Sequence, residues 1–252
     1  MSSSGATLHR VRWRSPQVAV LLVAAAAAWL ATVAWARGMG AMPGMMGSGL
    51  AEFVPTWTLM MAAMMLPAVT PLASMYARSL RTHRAPRLVE FTGGYLLIWA
   101  AVGLPAYGCA WLAGWLATHH PAAATVMAVA AFTAGGLYQL TPLKARCLRR
   151  CRTPVAQLLH YGNYRGRLRD LRVGVHHGAY CLGCCWALMV VLVAFGVMNL
   201  PAMLILAALI TIEKLWRHGE AVGRLAGVAL LAFAIAVWWH PGLAPGLHMS
   251  AM

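Results

Sequence analysis

Carboxylates are the scarcest chemistry in this chain: five Asp and Glu residues stand in 252, against twenty Lys and Arg. So few acids provide no paired carboxylate site, and a proton-driven antiporter built on buried acids has little material beyond Glu90 and Glu213. A Gly-Lys-Ser phosphate loop and a nucleophile elbow are both missing, so ATP-driven transport within this chain has no support and binding, not catalysis, is the expectation. What is present in excess is apolar surface, 61% of residues at a mean hydropathy of +0.68, the composition of a polytopic membrane protein. A net charge of +15 would suggest nucleic acid in a soluble chain. Here Arg lies at the ends of apolar stretches, where the anionic headgroups of membrane lipids are the natural partner, and nucleic acid is set aside.

Spanning hydrocarbon takes about 20 apolar helical residues. Seven candidates occur near 16–36, 56–77, 91–117, 121–143, 177–198, 201–216 and 223–239, so the expected fold class is an all-α polytopic transmembrane bundle of about seven spans. The sixth is short, and the turn before it is placed at Gly196, Asn199 and Pro201. The first is Ala-rich and follows Arg10, Arg12 and Arg14, like a signal peptide, but its length and the weak cleavage match Ala34-Trp35-Ala36 favour a retained helix. Nineteen of the twenty cations fall in every second connection and only Arg37 lies on the other side. Positive loops stay cytoplasmic, which predicts a single domain, residues 1–252, in the bacterial inner membrane with the N-terminus inside and the C-terminus outside.

The expected outer side collects methionine and histidine. An outer loop, 37–55, carries Met39, Met42, Met45 and Met46, and His119, His120, His240, His248, Met249 and Met252 lie on the same side. Thioether sulfur is a soft ligand suited to Cu(I). In the second span Met60 with Met64 and Met61 with Met65 are four apart, so each pair shares one strip of helix. Methionine in an apolar helix is ordinarily packing material, and nearness to the loop is what favours a thioether ladder. Pro67 and Pro71 should bend this helix or open it locally.

Five of six cysteines gather at the expected inner side. Cys147 and Cys151 follow the fourth span; Cys181, Cys184 and Cys185 are expected in the first turns of the fifth. Spacings of three and four let each set point from one helical face. The cytoplasm disfavours a stable disulfide, and neighbouring Arg and Lys are expected to favour thiolate. Tetrahedral sulfur suits zinc or an iron–sulfur cluster, and two or three thiolates suit Cu(I). His176 and His177 are further candidates, His177 one turn before Cys181. Cys109, alone in the third span, is read as packing.

Trp57 with Met60-Met61-x-x-Met64-Met65-x-Pro67, Thr141-Pro142-Leu143-Lys144 with Cys147, Cys151 and Pro154, Cys181-x-x-Cys184-Cys185-Trp186-x-x-Met189, Met198-Asn199 and Glu213-Lys214 together resemble a bacterial family of predicted metal-binding integral membrane proteins, catalogued as a domain of unknown function. The likeness covers roughly residues 55–216. It implies a metal link without a reaction, and points to Met60, Met61, Met64, Met65, Cys147, Cys151, Cys181, Cys184 and Cys185.

Intramembrane polar groups are costly and therefore informative. Tyr138, Gln139, Thr141, Asn199, Glu90 and Glu213-Lys214 are the main ones. Glu213 is most simply ion-paired with Lys214 and Arg217 at a helix end, and Glu90 favours a helix N-terminus. The long basic connection, 144–176, reads as a surface segment on anionic lipid or a docking surface for protein. Gly93-Gly94, Gly135-Gly136 and the Gly223 to Gly227 spacing offer close helix contacts, within one chain or between protomers. The functional expectation is a membrane protein that takes a soft metal ion, Cu(I) first, across the membrane or to a membrane or periplasmic copper protein. A thiol or redox protein holding a cluster or haem and a zinc-pinned partner of a membrane complex are the alternatives.

Overall fold

A computed structural model of the protein describes residues 16–39, 49–80 and 82–247. Met42, Met45 and Met46 of the methionine-rich loop and His248, Met249 and Met252 of the tail lie outside the described residues. The described chain is all-α, as expected. Its helices are α1 (Pro16–Met39), α2 (Leu50–Ser79), α3 (Arg84–His119), α4 (Pro121–Leu140), α5 (Pro142–Arg152), α6 (Pro154–Tyr161), α7 (Arg169–Phe195), α8 (Leu200–Leu215) and α9 (Gly219–Trp239). Six of them, α1 to α4, α7 and α9, are long and apolar enough to cross a membrane. The expected sixth span is α8, 16 residues or about 24 Å of helix, shorter than the others. It begins where the sequence placed a turn: α7 stops at Phe195, Gly196 takes φ +97, and Asn199 caps α8 by accepting from Ala202 N at 3.0 Å.

Two boundaries differ from expectation. The fourth span and the cysteines after it are not one rod, because Pro142 has no N–H to continue α4 and restricts Thr141 to an extended conformation. Thr141 adopts ψ 148 and accepts from Lys144 N at 3.3 Å, so α5 starts afresh as a separate helix carrying Cys147 and Cys151. The other boundary is α7, which starts at Arg169, eight residues before the expected 177. Much of the basic connection 144–176 is thus helical, folded as α5, α6 and the first turns of α7.

The stack is ordered by which helices face protein and which face outward. In α2 and α7, 67% and 61% of the apolar window is buried, against 22% in α3 and in α9; the first two form the centre and the second two the periphery. Large apolar side chains such as Leu30, Val89, Ile205, Leu225 and Trp239 remain exposed on the outside, a surface that hydrocarbon would cover. Helix α1 packs along α2, α2 along α3, α3 along α7 and α4 along α9, while α8 touches α2, α5, α7 and α9.

Glycine sets close contacts between helices. Gly174 of α7 lies against the Phe91 carbonyl of α3, and Gly94 of α3 against the Leu171 carbonyl of α7. In the other pair a Cβ on Gly136 of α4 would stand 2.8 Å from the Gly227 carbonyl of α9. Small residues let backbones approach where lipid supplies no hydrophobic drive between helices. Gly94, Gly135, Gly136, Gly223 and Gly227 are therefore occupied inside one chain, whereas Gly93 faces open space.

The three proline residues in α2 leave it continuous. Thr70 donates to the Leu66 carbonyl at 2.7 Å and Ser74 to the Pro71 carbonyl at 2.9 Å, supplying hydroxyl donors in the turns where proline removes backbone ones. Basic groups converge on one end of the bundle. Arg87 of α3 binds Asp170 of α7 through Nε at 2.7 Å and through a second nitrogen at 3.1 Å, Tyr76 of α2 donates to the same carboxylate, and Arg152 donates to the Trp216 carbonyl at 2.6 Å. Asp170 thus ties the central pair α2 and α7 to α3.

Substituting Gly174→Ala would place a methyl group inside the α3 backbone, and overpacking of this kind costs about 1–3 kcal/mol. Thermal unfolding in detergent should show a clear loss for Gly174→Ala and none for Gly93→Ala; equal midpoints would discount the close packing of α3 on α7.

Candidate metal centre

Helices α5 and α7 bring two sulfurs together. Cys151 donates toward Cys184 at a Sγ–Sγ distance of 3.9 Å. At ~2.3 Å per metal–thiolate bond, two sulfurs this far apart can share one ion. The other cysteines stand around this pair with different partners. Cys147 lies over Gly183, where a Cβ would come to 3.0 Å from its sulfur. Cys184 and Cys185 both point their thiols at the Cys181 carbonyl, at 3.1 and 2.9 Å. Cys181 receives a hydrogen bond from Lys214 Nζ at 2.8 Å and meets Tyr95 Oη at 3.0 Å. All six cysteines are free, and among the described residues no three of His, Cys, Asp and Glu already enclose an ion. Of the thiols that the sequence places at these two helix ends, Cys151 and Cys184 form the pair that bridges α5 and α7, with the others beside it.

The expectation of ready thiolates also changes for the two cysteines of α5. Burial pushes the Cys147 thiol above its ordinary value, with negative charge at Cys184 adding to the effect. Cys151 is pushed well up by the hydrogen bond it gives Cys184 and then by burial. Binding a metal at these sulfurs would release their protons.

Depth is the largest departure. Cys181, Cys184 and Cys185 sit at the middle of α7, three turns from its start. Met60, Met61, Met64 and Met65 are all fully buried. The methionines of α2 and the cysteines of α7 are therefore donors buried in one bundle core.

His177 is 3% exposed, lies between the rings of Phe91 and Tyr95, and its Nδ1 has no hydrogen-bond partner. An orphaned imidazole nitrogen at the edge of the thiol layer keeps its lone pair or proton uncommitted. His176 faces another way, toward Tyr161 and the ring of His160 at 5.3 Å. His119 stacks on Trp115 and His120 packs against it at a tilt, at the far end of α3. Cys109 is exposed on α3, so it is not packing inside the bundle. Glu90 is exposed as well.

The groups that the sequence underrated are cations. The chain has two lysines, Lys144 and Lys214, and both are buried. Glu213 does not pair with its neighbours Lys214 and Arg217: Lys144 Nζ reaches both its oxygens at 2.7 Å, and Gln139 Nε2 donates to Oε1 at 3.1 Å. Adjacent residues on a helix point about 100° apart, so Glu213 turns to α5 and α4 while Lys214 turns to Cys181 of α7. The available signal was compositional, since Arg supplies every other cation and lysine appears only at these two places.

The family model of PpoB2 copper chaperones matches residues 54–237, more than half of the chain and all of the helices that carry these groups from Val54 onward. No curated protein and no solved structure matches. Together with a core that buries both the thiols and the thioethers, this match places the chain in the PpoB2 copper chaperone family.

Proposed function

We propose that this protein is an integral membrane copper chaperone that holds Cu(I) between Cys151 and Cys184 and passes it to a membrane or periplasmic copper protein. The observation that carries this reading is the 3.9 Å pair of thiols from two different helices beside the buried Lys214. The ion is cargo, bound and given up. Membership in a copper chaperone family supports copper, and the charge of the site supports its monovalent form. Two thiolates and Cu(I) sum to −1, which the Lys214 ammonium cancels, whereas a divalent ion leaves +1 in a buried site. An unbalanced buried charge costs several kcal/mol. Glu213 does not disturb this balance, because Lys144 already neutralises it.

The four methionines of α2 are fully buried in the same core as the thiols, and the reading includes exchange of the ion between these thioethers and the cysteines of α7. Thioethers bind weakly and release quickly, while thiolates hold, so the ion rests on cysteine and moves by way of methionine. Cys181 is engaged by Tyr95 and Lys214 and joins as a third ligand when Lys214 lets go. His177, one turn earlier, offers an imidazole at the same edge. The orientation with basic loops in the cytoplasm, and hence a bacterial inner membrane, belongs to this proposal and rests on the positive-inside rule.

Anaerobic titration of the purified protein with Cu(I) against a competing chelator should give one tightly held ion. Outer-shell changes at metal sites cost about 10–100-fold, so Cys151→Ser with Cys184→Ser should weaken binding by more than about a hundredfold. Tight zinc with no Cu(I) would replace this reading with a structural pin, and visible absorption of a cluster or haem would replace it with a redox centre.

Lys214→Met should weaken Cu(I) by roughly one to two orders of magnitude, since a unit charge within ~6 Å at an effective dielectric of about 20 is worth roughly 2–3 kcal/mol. The same substitution should raise zinc affinity relative to Cu(I). Parallel competition titrations report that ratio, and a ratio unmoved by Lys214→Met would remove the charge argument.

A further inference from the structure

A cleft of about 270 Å³ opens where the end of α4 and the start of α5 meet the start of α9, and copper handling makes no use of it. Its lining includes Lys144, Arg149 and Arg224, the carboxylate of Glu220, and the polar side chains of Gln139 and Thr141. The charges do not cancel. Lys144 is committed to Glu213 at 2.7 Å, which leaves two arginines against Glu220. Arg149 meets Glu220 at 3.9 Å between partly exposed side chains, a contact worth little. Arg224 is exposed and has no ion-pair or hydrogen-bond partner among the described residues. The balance is one uncompensated positive charge.

Two more features point to an anion that also donates a hydrogen bond. The first turns of α5 and α9 both border the cleft, so the positive ends of two helix dipoles face it. Gln139 lines it, is 5% exposed, and its Oε1 has no donor. The amide cannot be turned to relieve this, because Nε2 already donates to Glu213 Oε1 at 3.1 Å and a reversed amide would set oxygen against carboxylate. A buried acceptor without a donor costs about 1–3 kcal/mol. A ligand hydroxyl reaching the inner wall would supply the donor.

Position selects the source of that anion. The cleft lies at the ends of spanning helices, and the apolar side chains beside it, Leu140, Leu143 and Leu225, are exposed at 44%, 55% and 70%, a surface suited to acyl chains. Basic pockets between spanning helices are where anionic headgroups bind. We propose that this cleft holds the headgroup of an anionic phosphoglycerol lipid: the phosphodiester, with its single negative charge, sits between Arg149, Arg224 and the two helix starts, and a glycerol hydroxyl donates to Gln139. The site is independent of copper and fastens α4, α5 and α9 to one another.

Native mass spectrometry of the full-length protein in detergent, with equal amounts of dioleoyl phosphatidylglycerol, phosphatidylcholine and phosphatidylethanolamine, tests this directly. The protein should retain one phosphatidylglycerol at least tenfold over the other two. Arg149→Gln with Arg224→Gln should abolish that preference, while Arg165→Gln with Arg167→Gln, on exposed residues of the basic connection, should leave it intact. Should the first pair fail to fold, Arg224→Gln alone changes an exposed, unpartnered side chain and should lower the preference by itself. Equal retention of the three lipids, or a preference untouched by Arg149→Gln with Arg224→Gln and by Arg224→Gln, overturns the proposal. In a separate arm, glycerol 3-phosphate without lipid should not bind at matched concentration; tight binding there would assign the cleft to a soluble phosphate ester and overturn the lipid.

Discussion

Charge in a low-dielectric interior must be balanced within a few ångströms, and that constraint organises the centre of this bundle. Glu213 and Lys214 are consecutive on α8 yet do not serve each other. Helical geometry turns them to different neighbours, so Lys144 of α5 comes to Glu213 and Cys181 of α7 comes to Lys214. Both lysines of the chain are used in this way. Removing one partner from a buried pair is costlier than the pair is worth, because it strands the other charge. The arrangement therefore fixes which helices sit around α8, and with them which thiols face each other.

A second clamp lies at the basic end. Asp170 receives Arg87 and Tyr76 from two other helices, and glycine contacts draw α3 against α7. With α2 and α7 both held to α3, the methionines of the one and the cysteines of the other are buried in the same core. In the proposed role, thioethers and thiolates supply donors of different strength to one soft ion.

Much of the architecture was legible in the sequence because membrane helices obey two strong rules. Apolar length marks spans, and the placement of Arg marks their ends; the turn at Gly196 to Asn199 and the separate α8 fell where these rules put them. Soft residues were legible too, since Cys151, Cys184 and the methionines of α2 can be singled out by type and spacing. What spacing cannot show is pairing. Periodicity says that Cys181, Cys184 and Cys185 share a face of α7, but it is silent on whether a thiol, a tyrosine or a lysine stands opposite.

Sequence alone determined the helical class, the approximate spans and the set of candidate soft residues, because each depends on composition and on local helical order. Tertiary structure decided that α7 begins eight residues earlier and so places the cysteines at its centre, and that Glu213 pairs with Lys144 across 69 positions of sequence. It also showed that Cys151 and Cys184 are the sulfurs that join α5 to α7. These are long-range outcomes, settled by which side chains can neutralise or hydrogen-bond one another once the helices are packed, and no local pattern along the chain encodes them.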